Sequence, residues 1–367
     1  MQFKIIFLFL ITFLFTQKSF AKIGQVHGFV NANYLVADEE VVYDTTITDK
    51  PSMIEHSSAG INLSIDIDNN ISGFVQILGT QTADEAVVEF DVAQIKLDWG
   101  NKTNIRVGKS RTFSWMISEY RYVGALYPWV SLPTEAYSLN PVDSHNGISL
   151  SHRFDFNQDY SLTFDLNFGE SQYKVVGDYV TEDVKITDIR GLQMELLFPK
   201  GKLRAAKGLA ETDGNYIFQT ESSTANNYLT VTRPYLSGTA EFSTVGLRLD
   251  LSDWLIMSEW TALKTLDEDL IDKEAYYITL GYYLLDRKHL IHLTHGETTK
   301  NVYDEGRDKS LTIGYNYNFS FSLVGKLDYK MVEHTEEGAS NFDTTFTGLD
   351  DVPEKTNIIG ASLSLVF

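Results

Sequence analysis

Cysteine is absent from this chain of 367 residues, and basic residues are scarce relative to acidic ones. The lack of cysteine excludes disulfides, thiolate metal sites and cysteine nucleophiles. With 30 basic and 50 acidic residues, the formal net charge is −20, which argues against nucleic acid as a partner. After residue 21, no apolar run reaches the roughly 18 residues of a membrane helix. We therefore expect no helical span in the mature chain.

The first 21 residues have the layout of a secretory signal peptide. Lys4 provides a basic start, residues 5–15 form an apolar stretch, and Ser19 and Ala21 are small residues at the positions that a signal peptidase reads. We expect residues 1–21 to be removed and residues 22–367 to form one exported domain. The alternative is an amphipathic or membrane-anchoring helix, although no acidic or polar stripe interrupts the apolar stretch.

Alternation typical of strands dominates the rest of the chain. In residues 59–66, apolar side chains at every second position alternate with polar or small ones, and residues 161–168, 311–318 and 323–331 repeat the pattern. Each segment therefore has one apolar and one polar face. The 20 tyrosines and 22 phenylalanines are a high aromatic content for a slightly polar chain. Membrane barrels combine these traits, because an apolar outer face with aromatic girdles encloses a wet lumen.

Connection lengths separate a membrane barrel from a soluble sandwich. Short turn signals lie near residues 68–70, 100–102, 157–158, 199–201, 252–253, 286–288 and 318–320. Longer connections, most of them acidic, lie near residues 38–50, 81–86, 111–146, 170–183, 211–235, 266–274, 298–308 and 335–355. Short turns that alternate with long loops predict an all-β fold, a transmembrane antiparallel β-barrel of about 16 strands.

The last predicted strand carries the most specific motif. Phe367 ends the chain after an apolar row at alternate positions, namely Ile359, Ala361, Leu363 and Leu365. This motif resembles the outer-membrane barrel assembly signal, in which a final Phe follows outward apolar residues at every second position. The alternative is an ordinary edge strand, which would be an aggregation liability if left unpaired. We expect these five residues to act as the assembly signal.

With the signal peptide and the loop rhythm, this motif makes residues 22–367 similar in architecture to the Gram-negative porins. The resemblance implies a homotrimer in the cell outer membrane, with short periplasmic turns and long external loops, in contact with lipid and lipopolysaccharide. It implies a water-filled channel for passive diffusion of small hydrophilic solutes and ions, without cofactor or catalysis. It also implies that the third external loop, here residues 111–146, folds into the lumen.

Residues 111–146 are rich in both aromatic and charged side chains, as a loop fastened inside a channel would be. The alternative is an external lid or a protein-binding loop. The resemblance implies a pore constriction formed by this loop and by wall bases chosen by strand parity. The candidates are Arg111, Glu119, Arg121, Glu135 and Asp143 on the loop, and Arg106, Arg153, Arg204 and Arg248 on the wall. Opposed charges there would create a transverse field, although a lone lumen arginine is equally explained as a structural ion-pair partner.

The acidic excess of the predicted external loops favours weak cation selectivity at low salt, which bases in the constriction could oppose. The densest acidic groups are Asp267, Glu268, Asp269, Asp272 and Glu274, and Asp350, Asp351 and Glu354. Neither group has calcium-loop spacing. We interpret both as a solvated rim, with divalent bridges to lipopolysaccharide as the alternative.

Other functions stay open: a substrate-selective channel, an outer-membrane enzyme, or a nonconducting structural or adhesive barrel. His289, His292 and His295 are the residues that could suggest catalysis. Residues three apart on a strand point to opposite faces, so only His289 and one distant partner could share a site. The sequence has no Gly-x-Ser-x-Gly elbow and no zinc-binding helix motif. We therefore expect a channel rather than an enzyme.

Overall fold

The computed structural model describes residues 22–39, 43–44, 47–53, 56–81, 86–140, 142–176, 180–221, 228–266, 272–301, 306–334 and 354–367. The predicted signal peptide, residues 1–21, lies outside this range. No helix in the described part of the chain has the length and apolar character needed to cross a bilayer.

Sixteen strands close into one antiparallel barrel, in which each strand pairs with its neighbour in sequence and the last pairs with the first. In chain order they are Lys22–Ala37 (β1), Ser58–Asp68 (β2), Ile71–Gln81 (β3), Ala86–Trp99 (β4), Thr103–Arg111 (β5), Ser144–Asp155 (β6), Ser161–Val176 (β7), Val180–Phe198 (β8), Gly201–Glu221 (β9), Tyr228–Leu251 (β10), Trp254–Thr265 (β11), Asp272–Leu284 (β12), His289–Asn301 (β13), Asp308–Asn318 (β14), Leu323–His334 (β15) and Lys355–Val366 (β16). The predicted fold class is confirmed.

The two-residue period of the sequence decides which side chains face outward. On β16, Ile359 and Leu363 are exposed on the outer face. Ser362 and Ser364, on either side of Leu363 in the sequence, point inward and are buried. On β14, Ile313 is exposed and Thr312 is buried. Successive strand residues point to opposite faces, so an apolar outer surface and a polar interior follow directly from the alternation.

The predicted connections are confirmed at one end of the barrel and partly wrong at the other. All seven short turns lie where the turn signals predicted them. The expected long connections at residues 170–183 and 211–235 are mostly strand. β7 ends only at Val176 and β8 begins at Val180, while β9 ends at Glu221 and β10 begins at Tyr228. Polar residues predicted loops there, but a hairpin that projects into water can keep its backbone ladder with polar side chains on both faces.

The connection between β5 and β6, residues 112–143, is the third at the long-loop end, and we call it the third loop. It contains two 3₁₀ turns, Ser118–Tyr120 and Gly124–Leu126, and one short helix, Thr134–Tyr137 (α1). In the connection between β1 and β2, the described residues are 38–39, 43–44, 47–53 and 56–57, and we call these the first loop.

Candidate functional site

The third loop lies inside the barrel, where an aromatic core holds it against the wall. Trp115, Trp129 and Tyr137 of the loop are buried with the inward-facing Phe242 and Tyr277. The ring centroids are 5.2 Å apart for Trp129 and Tyr277 and 6.0 Å apart for Trp115 and Phe242, both in edge-on geometry. Edge-on ring pairs add to the energy of burial. The prediction of an infolded third loop is confirmed, and its aromatic residues are the ones that attach it.

Two charged residues of β15 fasten the middle of the third loop. The Lys326 ammonium donates to the carbonyl oxygens of Tyr127 and Trp129, each at 2.8 Å. The next inward residue, Asp328, accepts from the backbone N–H of Val130 at 2.7 Å. Both side chains are buried. Since a buried charge is costly without partners, these bonds favour the docked position of the loop.

Further bonds fasten the loop through β11 and β1. Glu259 accepts from the backbone N–H of Met116 at 2.7 Å and from the hydroxyl of Tyr137 at 2.9 Å. Asn31 accepts from the backbone N–H of Gly124 at 3.0 Å. The loop is thus attached mainly to one arc of the wall, formed by β10 to β16 and β1, and Lys202 and Arg204 of the adjoining β9 also bond to it.

The opposite arc of the wall is left open. Inward residues beneath the loop, such as Thr279 and Thr294, are fully buried. Inward residues of the facing strands, such as Asn62, Lys96 and Thr163, stay partly exposed. A barrel of about 16 strands has an interior wider than its own side chains can fill. The open part of the lumen therefore lies between the third loop and strands β2 to β8, where partly exposed inward residues include these polar side chains.

Glu119 is the predicted loop carboxylate that reaches the lumen, since 46% of its side chain is exposed. Arg204 donates to it at 3.2 Å. Enclosure works to raise the pKa of Glu119, but Arg204, the loop backbone and Lys202 outweigh it, and the pKa lies below the ordinary value of 4.5. Glu119 is therefore ionised at neutral pH.

Both carboxylate oxygens of Asp143, at the end of the loop, are engaged in hydrogen bonds. It accepts a bond from Arg121, and the hydroxyl of Tyr122 donates to its other oxygen at 2.7 Å. Arg111 binds Asp91 on β4, and its guanidinium lies over the Tyr122 ring, 4.7 Å from the centroid. The two arginines thus fix the ends of the loop through ion pairs.

Glu135 requires a correction, because the structure does not bring it to the channel. Its side chain is 0% exposed, at the start of α1, and its carboxylate lies 3.5 Å from the Lys330 ammonium. The facing residue on β13 is Gly296, where a Cβ would collide with this carboxylate. A side chain without access to lumen water cannot line the passage. Position in the sequence identified the loop but not which of its sides faces the wall.

Arg106 and Arg204 flank Phe113, where the loop leaves β5. Their guanidinium carbons lie 5.1 and 5.9 Å from the ring centroid. Arg106 pairs with Asp165 at 3.2 Å, and Arg204, only 1% exposed, pairs with Glu119. Arg204 is therefore brought to the constriction but offers no free surface to a solute.

The last two predicted bases lie towards the short-turn end. Arg153 is largely exposed and pairs with Asp155 at 2.7 Å, at the end of β6, so the structure places it at the barrel mouth rather than beside the loop. Arg248 pairs with Asp250 at 2.9 Å, close to Tyr120 of the loop. Strand parity gave both residues an inward face but not their height in the barrel.

Each arginine predicted for the constriction thus has a carboxylate neighbour. The pairs of Arg106, Arg111, Arg153 and Arg248 join residues of the wall, that of Arg121 joins two residues of the loop, and that of Arg204 joins the wall to the loop. Such direct contacts fit the structural ion-pair alternative. Among the predicted residues that lie on or beside the third loop, Glu119 carries the charge most accessible to lumen water, with 46% of its side chain exposed.

The predicted assembly row lies on the outer face of β16. Ile359, Leu363, Leu365 and Phe367 are exposed there, with Ala361 half-buried between them. Phe367 also closes the barrel seam. It exchanges backbone hydrogen bonds of 2.8 and 2.9 Å with Gly28 of β1. Its ring packs directly on that glycine, where any Cβ would clash with it. The terminal residue therefore packs closely against the first strand.

Of the three histidines, His292 points inward and is buried 3.4 Å from Asp328, whereas His289 and His295 lie on the outer face near Tyr315 and Glu297. Among the residues that the structure describes, no group of three ligating side chains could hold a metal ion. The acidic residues at 267–269 and 350–351 lie outside the described ranges.

Sequence reasoning missed the residues that fasten the loop, chiefly Asn31, Glu259, Lys326 and Lys330. A usable signal was present, because these are ionisable or amide side chains at inward positions of otherwise regular strands. A charge on the inner face of a barrel strand needs a partner, and a loop folded over it can supply one.

No protein-family model matches the chain, and no curated protein sequence matches it. Solved structures with the same architecture include an anion-selective porin from Comamonas acidovorans, with a TM-score of 0.60 and 14% identity, covering 95% of this chain and 100% of that chain. They also include the outer membrane channel DcaP of Acinetobacter baumannii, with a TM-score of 0.59, 11% identity and coverage of 96% and 99%. OmpT, an outer membrane protein of Vibrio cholerae, aligns with a TM-score of 0.58, 13% identity and the same coverage. At these identities the likeness shows a shared fold, the sixteen-stranded barrel of Gram-negative outer-membrane porins.

Proposed function

We propose that this protein is an outer-membrane porin, a water-filled channel for passive diffusion of small hydrophilic solutes and ions. The observation that carries the proposal is the third loop, which is fastened to one arc of the wall and leaves a polar passage along the other. A nonconducting barrel of this size would have no need to keep one arc of inward polar side chains uncovered.

Single-channel recording in planar bilayers tests the proposal directly. The purified, folded protein should insert in discrete conductance steps of uniform size at constant salt. Heat-denatured protein from the same preparation is the control. Folded protein that inserts without conducting would contradict the proposal and favour a structural or adhesive barrel.

The passage supports a channel for ions and small solutes with a weak preference for cations. Glu119 is the exposed lumen carboxylate, and its partner Arg204 is buried beneath it. The excess of acids in the chain adds to this preference at the mouth, where carboxylates attract counter-ions over about 8 Å at physiological ionic strength. A substrate-selective channel is the alternative, and saturation of conductance by one solute would distinguish it.

We place the protein in the outer membrane, with the long loops outside, the short turns in the periplasm and the outer face in lipid that includes lipopolysaccharide. Exposed aromatic side chains support placement in a membrane. Trp254 and Tyr282 pair at 4.7 Å near the short turns, as interfacial girdles do. Fractionation of cells and heat-modifiable mobility on electrophoresis test the location and the folded state.

A homotrimer is supported by the outer face of β2 and β3. Its outward residues include the small or aliphatic Ala59, Ile61, Gly73, Val75 and Gly79. Such a face permits close approach of an identical one. OmpT of Vibrio cholerae has a solved trimer form. Chemical crosslinking in mild detergent should yield a trimer, and a purely monomeric product would contradict this assignment.

Catalysis is not part of the proposal. Of the three histidines that could suggest it, His289 and His295 lie on the outer face of β13, whereas the buried His292 faces Asp328. Turnover of added ester or peptide substrates by the folded barrel would overturn this view.

A further inference from the structure

The first loop packs into the barrel mouth and touches the third loop. Tyr43 and Ile47 are each 1% exposed, and they form one apolar cluster with Val130 of the third loop and with Leu35 and Ile358 of the wall. Burial of this kind joins the two loops into one packed body, because moving either one would expose apolar surface of the other.

The first loop also has an outward-facing side. Leu35 and Ser52 exchange backbone hydrogen bonds of 3.1 and 3.2 Å, so the segment lies along the end of β1. The next residue, Met53, is 67% exposed. One short segment therefore presents its inner side to the constriction loop and its outer side to the surroundings.

A single buried lysine binds both loops. The Lys330 ammonium donates to the Tyr43 hydroxyl of the first loop at 2.7 Å. On the third loop it lies 3.4 Å from the Thr134 hydroxyl and 3.5 Å from the Glu135 carboxylate. The Thr134 hydroxyl in turn lies 3.3 Å from Asp44 of the first loop. A buried ammonium depends on its acceptors, so displacement of one loop disturbs what holds the other.

We propose that the first loop controls the constriction, so that contact with its outer side changes the position of the third loop through Lys330 and Tyr43. The inference rests on the proposed function, because conductance is what the control would change. It assigns the first loop a regulatory role in addition to its place at the mouth.

The absence of cysteine allows one to be introduced at will. A Met53→Cys protein, biotinylated at that thiol, is recorded in a planar bilayer while streptavidin is added on the long-loop side. The matched control is Asp213→Cys, an exposed position on β9 that is treated identically. Streptavidin should raise the closing rate severalfold at Met53→Cys and leave Asp213→Cys unchanged.

Lys330→Met in the Met53→Cys protein separates coupling from simple obstruction of the mouth. The response to streptavidin should disappear, because the link between the loops is removed. If that variant does not fold, as judged by heat-modifiable mobility, Tyr43→Phe removes the same bond more gently and should weaken the response. An undiminished response in these variants, or an equal response at Asp213→Cys, would overturn the inference. Loss of conductance in every protein, unmodified chain included, would instead count against the porin proposal.

Discussion

Replacing Glu119 with Gln should shift the ion preference of the channel towards anions. The substitution removes one lumen charge and keeps the shape and the acceptor oxygen that Arg204 uses. A passing ion about 4 Å from a unit charge gains roughly 1 kcal/mol in water. The side chain is 46% exposed, so this aqueous figure is the appropriate one, and Arg204 at 3.2 Å offsets part of it. The cation-to-anion permeability ratio should therefore fall roughly two- to fivefold in about 0.1 M salt.

Reversal potentials across a salt gradient measure this ratio. The effect should fade towards 1 M salt, where the screening length is about 3 Å. Glu135→Gln is the matched control, since it is the same substitution in the same loop at a side chain that is 0% exposed. It should leave the reversal potential unchanged. The reasoning fails if Glu119→Gln has no effect at low salt, or if Glu135→Gln has an equal one.

The pH dependence of the cation preference provides a second test of the role of Glu119. Because the pKa of Glu119 is held below 4.5, its charge persists as the pH falls to that value and is lost only in stronger acid. Cation preference should follow the same course. The Glu119→Gln protein should lack this acid transition, and a transition near neutral pH in the wild type would contradict the assignment.

Three further predictions concern assembly, loop docking and the trimer. Phe367→Ser should lower the amount of folded barrel on heat-modifiable electrophoresis, because the ring that covers the first strand is lost. Lys326→Met should weaken docking of the third loop by about 1.5–3 kcal/mol and increase open-channel current noise, because a buried charged donor is removed. Gly79→Trp should reduce the crosslinked trimer without unfolding the barrel, since a Cβ there meets nothing within its own chain closer than 3.7 Å.

Each of these changes has a control elsewhere on the barrel. Val366→Ser alters the neighbouring residue on the other face of β16 and should assemble normally. Lys309→Met removes an exposed lysine from β14 and should leave the current noise unchanged. Leu311→Trp adds the same ring to the outer face of β14, away from the small-residue face, and should preserve the trimer. An effect of equal size in a control would refute the corresponding prediction.

The ion pairs around the loop also explain why so many charges fit in one lumen. Arg106 with Asp165 and Arg204 with Glu119 are neutral as pairs, so their desolvation is offset locally. What a solute meets is decided by the unequal exposure of the partners. The number of arginines and carboxylates in the sequence does not predict how exposed each partner of an ion pair is.

The barrel itself was predictable from the sequence. Alternation at period two assigns each strand residue to the outer or inner face, so the apolar row that ends at Phe367 and the polar row between its members needed no coordinates. Short turn signals and long connections then set the strand number. The limits were reached at residues 170–183 and 211–235, where polarity predicted loops but the hydrogen-bonded hairpins continue beyond the apolar band.

Tertiary structure alone decided which predicted constriction residues reach water. The two-residue period assigned Arg153 and Arg204 to the inner face. It does not determine the position of a residue along the barrel axis or which other residues bury it. The side of the third loop that faces the wall is set by Trp129 and its neighbours finding complementary surface on β12 and β13, residues more than a hundred positions away. Glu135 is buried and Glu119 exposed for this reason, since burial depends on long-range packing whereas the face of a strand residue depends only on its local backbone.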